Sequence, residues 1–463
     1  MSESSIKSEI LGRKAQFHRL LFRLHFYAGI IVAPFLLILA VTGAIYLFVT
    51  EIEDLAHPDW RFVSEQGRHL SPEEMIGGAI KKYPGATPTR IDLPTAPNRT
   101  AVVFLTPQEG EPFRVYVDPV SGEALGSFIY AQTLVGFSDL MHGSLLMGDR
   151  GDLIVELASC WAIILIITGL YLWWPRTSNK LWGVFIPRFT KGRSMWRDLH
   201  AVTGVWVSFL LLFLLLTGLP WSTNWGGYLQ KAMELADISY PASYRSHIDH
   251  DVTTSDGSAA VLADTMSDIP WTLETAPAPH SHHGGKTPIS IDEATKKFAQ
   301  EGLITGYRLA LPSTAQDVYT AYTYPDQPQG QRTIHLDQYT GEVLNDVSFS
   351  DYGIGAKAVE LGVALHMGNY FGVPNQLLML FAALGAALLA ISGPVMWMMR
   401  RKSGLGAPKA IGSGRAIWVL ASIMVVFGIL FPVLGVTALF VFAVERLVLS
   451  RFAPTREWLG LAN

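Results

Sequence analysis

Long apolar runs separated by polar stretches dominate the chain. Five runs are long enough to cross a hydrocarbon core of about 30 Å, which needs roughly 20 apolar residues. They cover Phe26–Phe48, Leu153–Trp174, Val205–Trp221, Leu377–Met399 and Ala416–Phe442. The first run is too long for a signal peptide, and no small-residue cleavage site follows it. The pattern therefore predicts a multi-pass membrane protein with five spanning helices.

Lysine and arginine cluster in three of the segments that flank these runs. The clusters lie in the N-terminal segment, in the loop after the second run and in the loop after the fourth. Because cytoplasmic segments carry an excess of these residues, we expect all three to be cytoplasmic in a bacterial inner membrane. Segments 51–137 and 222–360 then lie in the periplasm. The C-terminus is expected outside as well, although Arg446, Arg451 and Arg456 argue against that side.

The composition agrees with a membrane protein and excludes several classes of function. Charged residues make up only 16% of the chain, against about 25% in soluble proteins. The net charge of -4 gives no reason to expect nucleic-acid binding. The single cysteine, Cys160, lies within an apolar run and is expected to be a buried, inert thiol. One cysteine excludes an internal disulfide, a thiolate metal site and an iron–sulfur cluster.

The chain contains an internal duplication with a shift of 224 residues in its returning helices. "RLHFYAGIIVAPFLLILAVTG" (23–43) matches "DLHAVTGVWVSFLLLFLLLTG" (198–218). "VYVDPVSGEALGSF" (115–128) matches "IHLDQYTGEVLNDV" (334–347), and "LMHGSLLMG" (140–148) matches "ALHMGNYFG" (364–372). Each half therefore reads as a helix, an outside domain and a returning helix. Both halves begin inside, so the two repeats are parallel.

The outside segments carry the signals of small α+β units. "SPEEMIGGAIKKYP" (71–84) and "SIDEATKKFAQEG" (290–302) begin with a serine N-cap and acidic residues in the first turn, which predicts a helix. Strand-like alternation follows in "TAVVFL" and "FRVYVD". Segments 118–122 and 337–341 read as turns. The stretch 245–286, rich in Ser, Ala, Asp and His, is expected to be a mobile loop.

The predicted fold is an all-α transmembrane bundle with α+β periplasmic domains. Four helices form two parallel repeats, and a fifth stands outside the duplication. The predicted boundaries are 1–50 for the N-terminal segment and first helix, 51–137 for the first outside domain, 138–175 for the second helix, 176–199 for a cytoplasmic loop, 200–221 for the third helix, 222–360 for the second outside domain, 361–400 for the fourth helix, 401–415 for a cytoplasmic loop and 416–463 for the fifth helix and tail.

Four of the 13 histidines occupy equivalent places in the duplication: His25, His142, His200 and His366. Ionisable groups at the edge of a membrane bundle are costly and usually functional. His25 and His200 begin outgoing helices, and His142 and His366 lie near the outer start of returning ones. Two imidazoles from facing helices are the axial ligands of a low-spin haem. The pattern predicts two b-type haems, with His25 and His200 on the inner iron and His142 and His366 on the outer iron.

Glycines follow two of these histidines at helical spacings. One lies four residues on, so it shares the histidine's face and leaves room for a porphyrin edge. Another lies 18 residues on, about 27 Å deeper on the same face, where it could seat the outer haem. They are Gly29 and Gly43 after His25, and Gly204 and Gly218 after His200. Close helix packing is the alternative role for all four.

Other candidate groups carry weaker signals. His18 is a reserve ligand seven residues before His25. Arg23 and Arg197 could pair haem propionates or simply anchor the helices at the cytoplasmic face. "HSHHGG" (280–285) could bind a metal, but no second ligand cluster accompanies it. No glycine-rich phosphate loop stands in a strand–helix context, so electrons must come from a membrane quinol or another protein.

These motifs together resemble the PepSY-associated transmembrane family. The resemblance covers about residues 15–401 and rests on "LHFYAG" and "LHAVTG", on "VYVDPVSGEALG" and "IHLDQYTGEVL", on "LMHGSLLMG" and "LHMGNYFG", and on "TGLYLWWPR". It implies a di-haem cytochrome with periplasmic PepSY domains that reduces a ferric siderophore, and it carries the haem ligands onto the four repeated histidines. The arginines differ between "FRLH" and "RDLH", which leaves the propionate partners open.

The leading hypothesis is a haem-dependent ferric-siderophore reductase that passes electrons across the bilayer to Fe(III) and releases Fe(II). Two alternatives stand beside it. One is a non-catalytic membrane regulator whose PepSY domains bind a peptide or protease, and the other is a transporter for a siderophore or metal. A purified protein with a reducible haem spectrum would favour the reductase over the regulator. The transporter would need broken helices at mid-depth, and no intramembrane carboxylate pair is evident.

Overall fold

The structure is a computed structural model that describes residues 3–64, 67–175, 181–247, 260–266, 269–282, 285–401, 405, 415–452, 455 and 458–459. The α-helices in these residues are α1 Glu3–Tyr46, α2 Val49–Ala56, α3 Pro58–Arg61, α4 Pro72–Lys82, α5 Leu134–Ser144, α6 Asp149–Trp173, α7 Arg193–Gly218, α8 Thr223–Leu235, α9 Leu262–Thr265, α10 Ile291–Gln300, α11 Ile354–His366, α12 Val373–Arg400, α13 Arg415–Leu430 and α14 Pro432–Leu447. The strands are β1 Thr87–Asp92, β2 Ala101–Thr106, β3 Phe113–Val117, β4 Ala124–Phe128, β5 Arg308–Ala310, β6 Val318–Thr323, β7 Arg332–Asp337 and β8 Val343–Ser348.

The chain divides into two compact units. The helical unit comprises Met1–Leu47, Asp139–Tyr228 and Leu377–Asn463, and the sheet unit comprises Phe48–Ser138 and Leu229–Gln376. The sheet unit contains an eight-stranded antiparallel sheet. The chain as a whole is therefore not an all-α protein, and the predicted all-α bundle describes only its helical unit.

Four helices of the helical unit are long and apolar enough to cross a membrane. They cover Lys14–Tyr46, Asp149–Trp173, Arg193–Trp221 and Val373–Arg400. Each coincides with one of the first four predicted spans, so those four predictions are confirmed. The protein is a membrane protein, and a lipid bilayer is its environment.

The predicted fifth span, Ala416–Phe442, is wrong. The apolar run is divided into α13 and α14, which meet at Phe431 and Pro432. Proline lacks the N–H that would continue the helix and disfavours helical geometry at the preceding residue. Each helix has 16 residues, or about 24 Å, which is shorter than a hydrocarbon core of about 30 Å. The run forms a helical hairpin, in which Gly428 and Gly435 let the two backbones approach closely.

The hairpin returns the chain to the end of the helical unit that carries His25. Trp225 follows α7 in the chain. Its indole N–H donates to the Leu430 carbonyl at the tip of the hairpin (3.0 Å). At the other end, Leu405 N–H donates to the Trp458 carbonyl (3.0 Å), and the Tyr27 hydroxyl donates to the Leu459 carbonyl (2.5 Å). Residues 458–459 therefore lie at the end of the helical unit where α1 places Tyr27, and the side of the membrane on which the C-terminus lies stays a prediction. Arg456, one of the three arginines that argue against an outside C-terminus, is not among the described residues.

The two halves of the duplication share one sheet. Its strand order is β4-β3-β2-β1-β5-β6-β7-β8, so each half contributes four strands and the halves join through β1 and β5. Arg90, Ile91 and Asp92 pair with Ala310, Leu309 and Arg308 at this antiparallel junction. Helices α4 and α10 contribute to one core with the sheet, in which Ile91, Phe298 and Leu309 are fully buried.

The predicted turns and helix starts in the sheet unit are confirmed. Asp118 accepts from the backbone N–H of Val120 (2.8 Å), and Asp337 accepts in the same way from Tyr339 (2.8 Å). The glycine that ends each turn has a positive φ, 74° at Gly122 and 69° at Gly341, which residues with a side chain rarely adopt. Capping boxes join Ser71 with Glu74 and Ser290 with Glu293.

Much of the segment expected to be a mobile loop is packed. Leu262, Trp271, Leu273 and Ala276 are buried in a second core of the sheet unit, together with Tyr244. The segment was predicted to be a loop because its composition is polar and because its apolar residues do not follow the spacing of a helix or a strand. Residues 248–259, 267–268 and 283–284 lie outside the described residues, and His283 of the predicted metal-binding stretch is among them.

A half-buried carboxyl group beside a buried one makes the stability of the sheet unit depend on pH. Glu360 accepts from the Thr272 hydroxyl (3.0 Å) and the Gln331 amide (2.9 Å). Burial, and next the charge of Glu360, raise the pKa of Glu274 to about 7 from an ordinary value of 4.5. The folded state thus holds a proton that the unfolded state has lost between these two pH values. The stabilising proton is present at acidic pH and is lost as the pH rises through the folded pKa.

We therefore expect Glu274 to contribute a fall in the unfolding temperature of the detergent-solubilised protein as the pH rises from about 5 to about 8. The Glu274→Gln variant removes the titrating group, so its unfolding temperature should lack this contribution. Intrinsic fluorescence during heating at several pH values measures the difference between the two proteins. A Gln variant whose unfolding temperature changes with pH in the same way as that of the wild type would contradict the assignment.

Candidate functional site

The structure brings two of the four repeated histidines together. His25 lies in α1 and His200 lies near the start of α7. The centroids of their imidazole rings are 6.3 Å apart, and the ring planes are nearly perpendicular, at 88°. These two helices belong to different halves of the duplication, so the contact is the cross-half pair that the sequence predicts for the inner site.

The separation fits a metal ion held between the two rings. Imidazole nitrogen binds metals at about 2.0–2.1 Å, so two rings on opposite sides of one ion have centroids about 6 Å apart. Two protein ligands from facing helices are also the axial set of a b-type haem. The observed centroid distance of 6.3 Å matches this value.

Hydrogen bonds to His25 leave the correct nitrogen for iron. The Nδ1 atom of His25 lies 2.9 Å from the Thr168 hydroxyl, and that hydroxyl donates its own proton to the Ile164 carbonyl (2.7 Å). The Thr168 oxygen must then accept from His25, which places the ring proton on Nδ1. A hydrogen bond between His25 and the Leu165 carbonyl agrees, because a carbonyl only accepts. Nε2 therefore keeps the lone pair that a metal needs.

His200 has the same surroundings in the second half. Its Nδ1 atom lies 2.9 Å from the Ser392 hydroxyl of α12, and the ring also bonds the Leu389 carbonyl. The Ser392 hydroxyl donates to Leu389 over 3.4 Å, a longer bond than the one that orients Thr168. Thr168 and Ser392 are separated by 224 residues, so the duplication has preserved this contact in both halves.

The third histidine repeats the arrangement at the other end of the helical unit. His142 lies in α5, and its Nδ1 atom is 3.1 Å from the Thr42 hydroxyl, which donates to the Ile38 carbonyl (2.8 Å). The ring also bonds the Leu39 carbonyl. His142 therefore has the same tautomer as His25, with Nε2 available for a metal.

The fourth histidine, His366, is the last residue of α11. It belongs to the sheet unit, whereas His142 belongs to the helical unit. The pairing of His142 with His366 stays a prediction from the duplication. Thr217, the counterpart of Thr42, donates to the Phe213 carbonyl (2.7 Å) and so presents an accepting oxygen in the same way as Thr42.

Glycines beside the hydroxyls make room for the rings. A β-carbon added to Gly169 would lie 3.2 Å from Cε1 of His25, and one added to Gly43 would lie 2.9 Å from Cε1 of His142. At Gly393 the corresponding distance to His200 is 3.8 Å, an ordinary contact. Gly43 thus lies at the outer histidine, the level that the sequence predicted for it. Gly218 is the last residue of α7 and holds the equivalent position.

The two shallower glycines have more space. A β-carbon at Gly29 would lie 3.8 Å from a methyl of Leu165, and one at Gly204 would lie 3.6 Å from a methyl of Leu389. Both distances are ordinary van der Waals contacts. The protein around these glycines would accept a methyl group, so close helix packing does not require them. Room for a porphyrin edge stays a prediction for both positions.

The arginines near the inner pair have other partners. Arg197 and Arg188 both bind the buried carboxylate of Asp198, at 2.8 Å and 2.7 Å. The Arg23 guanidinium lies over the ring of Tyr27, 4.9 Å from its centroid. His18, the reserve ligand, has its ring centroid 6.3 Å from that of Tyr171. None of these contacts identifies a propionate partner.

The hydroxyl residues were not predicted from the sequence. Thr42, Thr168, Thr217 and Ser392 each stand 17 or 26 residues after a repeated histidine. The signal that could have found them is that a hydroxyl followed by glycine stands at all four positions. A β-branched or small polar residue in an apolar helix often bonds its own backbone, which hid this second role.

Comparison with known families agrees with the fold and the repeated histidine motifs. Residues 22–400 match the family described as the PepSY-associated TM region. The chain belongs to this family. No curated protein matches the chain. Membership covers both halves of the duplication and the whole set of repeated histidines, since His25 and His366 both lie within the matched residues.

Proposed function

We propose that this PepSY-associated membrane protein is an inner-membrane di-haem b-type oxidoreductase. It carries electrons from the cytoplasmic side or the quinol pool to a periplasmic Fe(III)–siderophore and releases Fe(II). The observation that supports it most strongly is the His25–His200 pair, with ring centroids 6.3 Å apart and each Nδ1 atom held by a hydroxyl.

The chemistry of the pair favours electron transfer. Haem bound there would supply a one-electron Fe(III)/Fe(II) couple. His25 of α1 and His200 of α7 would hold this group. The hydrogen bonds to Thr168 and Ser392 hold both rings in place, which would keep rearrangement of the protein small during electron transfer.

A second level of histidine shortens the path across the bilayer. Thr42, which holds His142, lies 17 residues after His25 in the same helix, or about 25 Å along its axis. A hydrocarbon core is about 30 Å thick. Two haems, one at each level, would divide this distance into shorter electron-transfer steps.

The proposed acceptor follows from the resemblance and from metal chemistry. One electron converts Fe(III) in a siderophore to Fe(II), a softer ion for which oxygen ligands are less suited. Iron would then leave the chelate. The lysine and arginine clusters around the His25 end support a cytoplasmic position for that end, with the sheet unit in the periplasm.

Haem content tests the proposal directly. We expect the purified protein to be red and to yield about two extractable haems per chain in a pyridine haemochrome assay, because two histidine pairs are predicted at two depths. The sequence has one cysteine, so no covalent c-type attachment is possible. A colourless protein with no reducible Soret band would refute the oxidoreductase and favour the regulator. One haem per chain would refute the two-level scheme.

A further inference from the structure

We propose that three hydroxyl–glycine dipeptides position the axial histidines and set how strongly each histidine donates electrons to iron. They are Thr168-Gly169 for His25, Ser392-Gly393 for His200 and Thr42-Gly43 for His142. We call these dipeptides seats. The inference rests on the proposed function, because it concerns how these histidines hold a haem iron.

The hydroxyl of each seat orients one ring. In Thr168 and Thr42 the proton of the hydroxyl is directed to the carbonyl four residues back, at 2.7 Å and 2.8 Å. The oxygen is then restricted to accepting from Nδ1–H of the histidine. Such a bond fixes the tautomer and makes the imidazole a more basic metal ligand. A more basic ligand favours Fe(III) over Fe(II) and lowers the midpoint potential of the haem.

The two inner seats are not equal. The Thr168 hydroxyl is held by a 2.7 Å bond to Ile164, whereas the Ser392 hydroxyl reaches Leu389 over 3.4 Å. Threonine is also restricted at χ1, while serine rotates more freely. Thr168 should therefore polarise its histidine more strongly than Ser392, and its loss should have the larger effect.

The glycine of each seat controls how close the ring can lie. The added β-carbon would come to 2.9 Å from the ring at Gly43, 3.2 Å at Gly169 and 3.8 Å at Gly393. The first two distances require the ring to move, and the third does not. The same Gly→Ala change at the three seats should therefore give graded effects, smallest at Gly393, and Gly77→Ala is the control, because an added β-carbon there meets nothing within 4 Å.

Potentiometric titration of the purified haem protein tests the hydroxyls. We expect Thr168→Val to shift the midpoint potential of the inner haem to a more positive value. Haem should stay bound, because the substitution removes neither imidazole. Thr168→Ser should return the potential towards the wild-type value, and Ser392→Ala should give a smaller positive shift. Thr437→Val is the control, because Thr437 makes the same bond to a carbonyl four residues back (2.9 Å) in α14.

The possible results distinguish failure of the seat proposal from failure of the proposed haem binding. Wild-type protein without haem overturns both the proposed function and the seats. Haem in the wild type with an unchanged or more negative potential in Thr168→Val overturns the seats alone, as does an equal shift in Thr437→Val. If Thr168→Val loses haem, retention by Thr168→Ser supports the seats, and loss in both overturns them.

The glycine scan tests the steric half of the proposal. We expect Gly43→Ala to lose the outer low-spin haem signal, Gly169→Ala to weaken or shift the inner one, Gly393→Ala to have the smallest effect of the three, and Gly77→Ala to match the wild type. The reduced-minus-oxidised spectrum per unit of protein measures all four. Equal behaviour of Gly169→Ala and Gly393→Ala would overturn the steric role.

A readout that does not depend on haem follows from the tautomer. NMR of haem-depleted protein with labelled histidine distinguishes the two neutral tautomers of an imidazole. We expect the His25 signal, identified by its absence in His25→Gln, to report Nδ1–H in the wild type and a mixture in Thr168→Val. The same mixture in the wild type would overturn the proposal.

Discussion

Replacing His200 with alanine is expected to remove the inner haem and to leave the outer haem in place. His25→Ala should remove the same spectral component, because the two rings lie 6.3 Å apart and are proposed to hold one iron. A bis-histidine haem that loses one ligand loses its low-spin character and much of its affinity. Electron entry from the cytoplasmic side should be blocked in both variants.

The outer level is expected to respond separately. His142→Ala and His366→Ala should each remove the other component and abolish reduction of a ferric chelate, while the inner haem stays bound and reducible. Low-temperature difference spectra and a potentiometric titration resolve the two components. His57→Ala is the matched histidine control, because His57 stacks on Trp60 (4.3 Å between ring centroids) in the sheet unit.

One result would contradict the cross-half pairing. If His366→Ala removed the component lost in His25→Ala and spared the one lost in His142→Ala, the pairs would be wrong. Loss of both components in the His57→Ala control would show that the spectra report stability and not ligation.

The spanning helices and the paired histidines could be predicted from the sequence because both follow from repetition. Hydropathy finds a run of apolar residues wherever it lies, and the duplication shows which histidines are equivalent. Depth then decides that His25 and His200 belong to one level. Helix direction and the repeat are enough to predict the pair of His25 and His200.

The helical hairpin at the end of the chain could not be predicted in the same way. A hydropathy average counts apolar residues and ignores whether the backbone can continue as one helix. Pro432 interrupts the run, and the approach of Gly428 to Gly435 stabilises the return. The return brings residues 458–459 to the end of the helical unit that carries Tyr27.

The seats were hidden for a different reason. Threonine and serine in apolar helices commonly bond their own backbone, so their presence predicts nothing by itself. Only the structure shows that the hydroxyl oxygen, whose own proton goes to the backbone, accepts a hydrogen bond from a histidine of another helix. The packed part of segment 245–286 was missed similarly, because Trp271 and Leu273 bury themselves without a regular spacing.

A glycine outside the repeated motifs controls the position of the outer histidine. Gly151 lies in the first turn of α6, and a β-carbon there would overlap the carbonyl of Ser144, two residues after His142. The connection between them is tight, with left-handed backbone at Leu145 (φ 51°) and Leu146 (φ 59°). In the other half the equivalent residue is Asn375, whose amide donates to the Leu365 carbonyl beside His366 (2.9 Å).

Gly151→Ala is therefore expected to displace the end of α5 and to remove the outer haem. A backbone carbonyl cannot rotate away as a flexible side chain can, so the variant should also lose about 3 kcal/mol or more of stability. Heat denaturation and the difference spectrum measure both effects. Gly77→Ala is the control, because Gly77 is exposed in α4 and an added β-carbon meets nothing within 4 Å; it should be neutral or slightly stabilising. An outer haem that survives Gly151→Ala with an unchanged unfolding temperature would show that the close approach to Ser144 does not hold His142 in place.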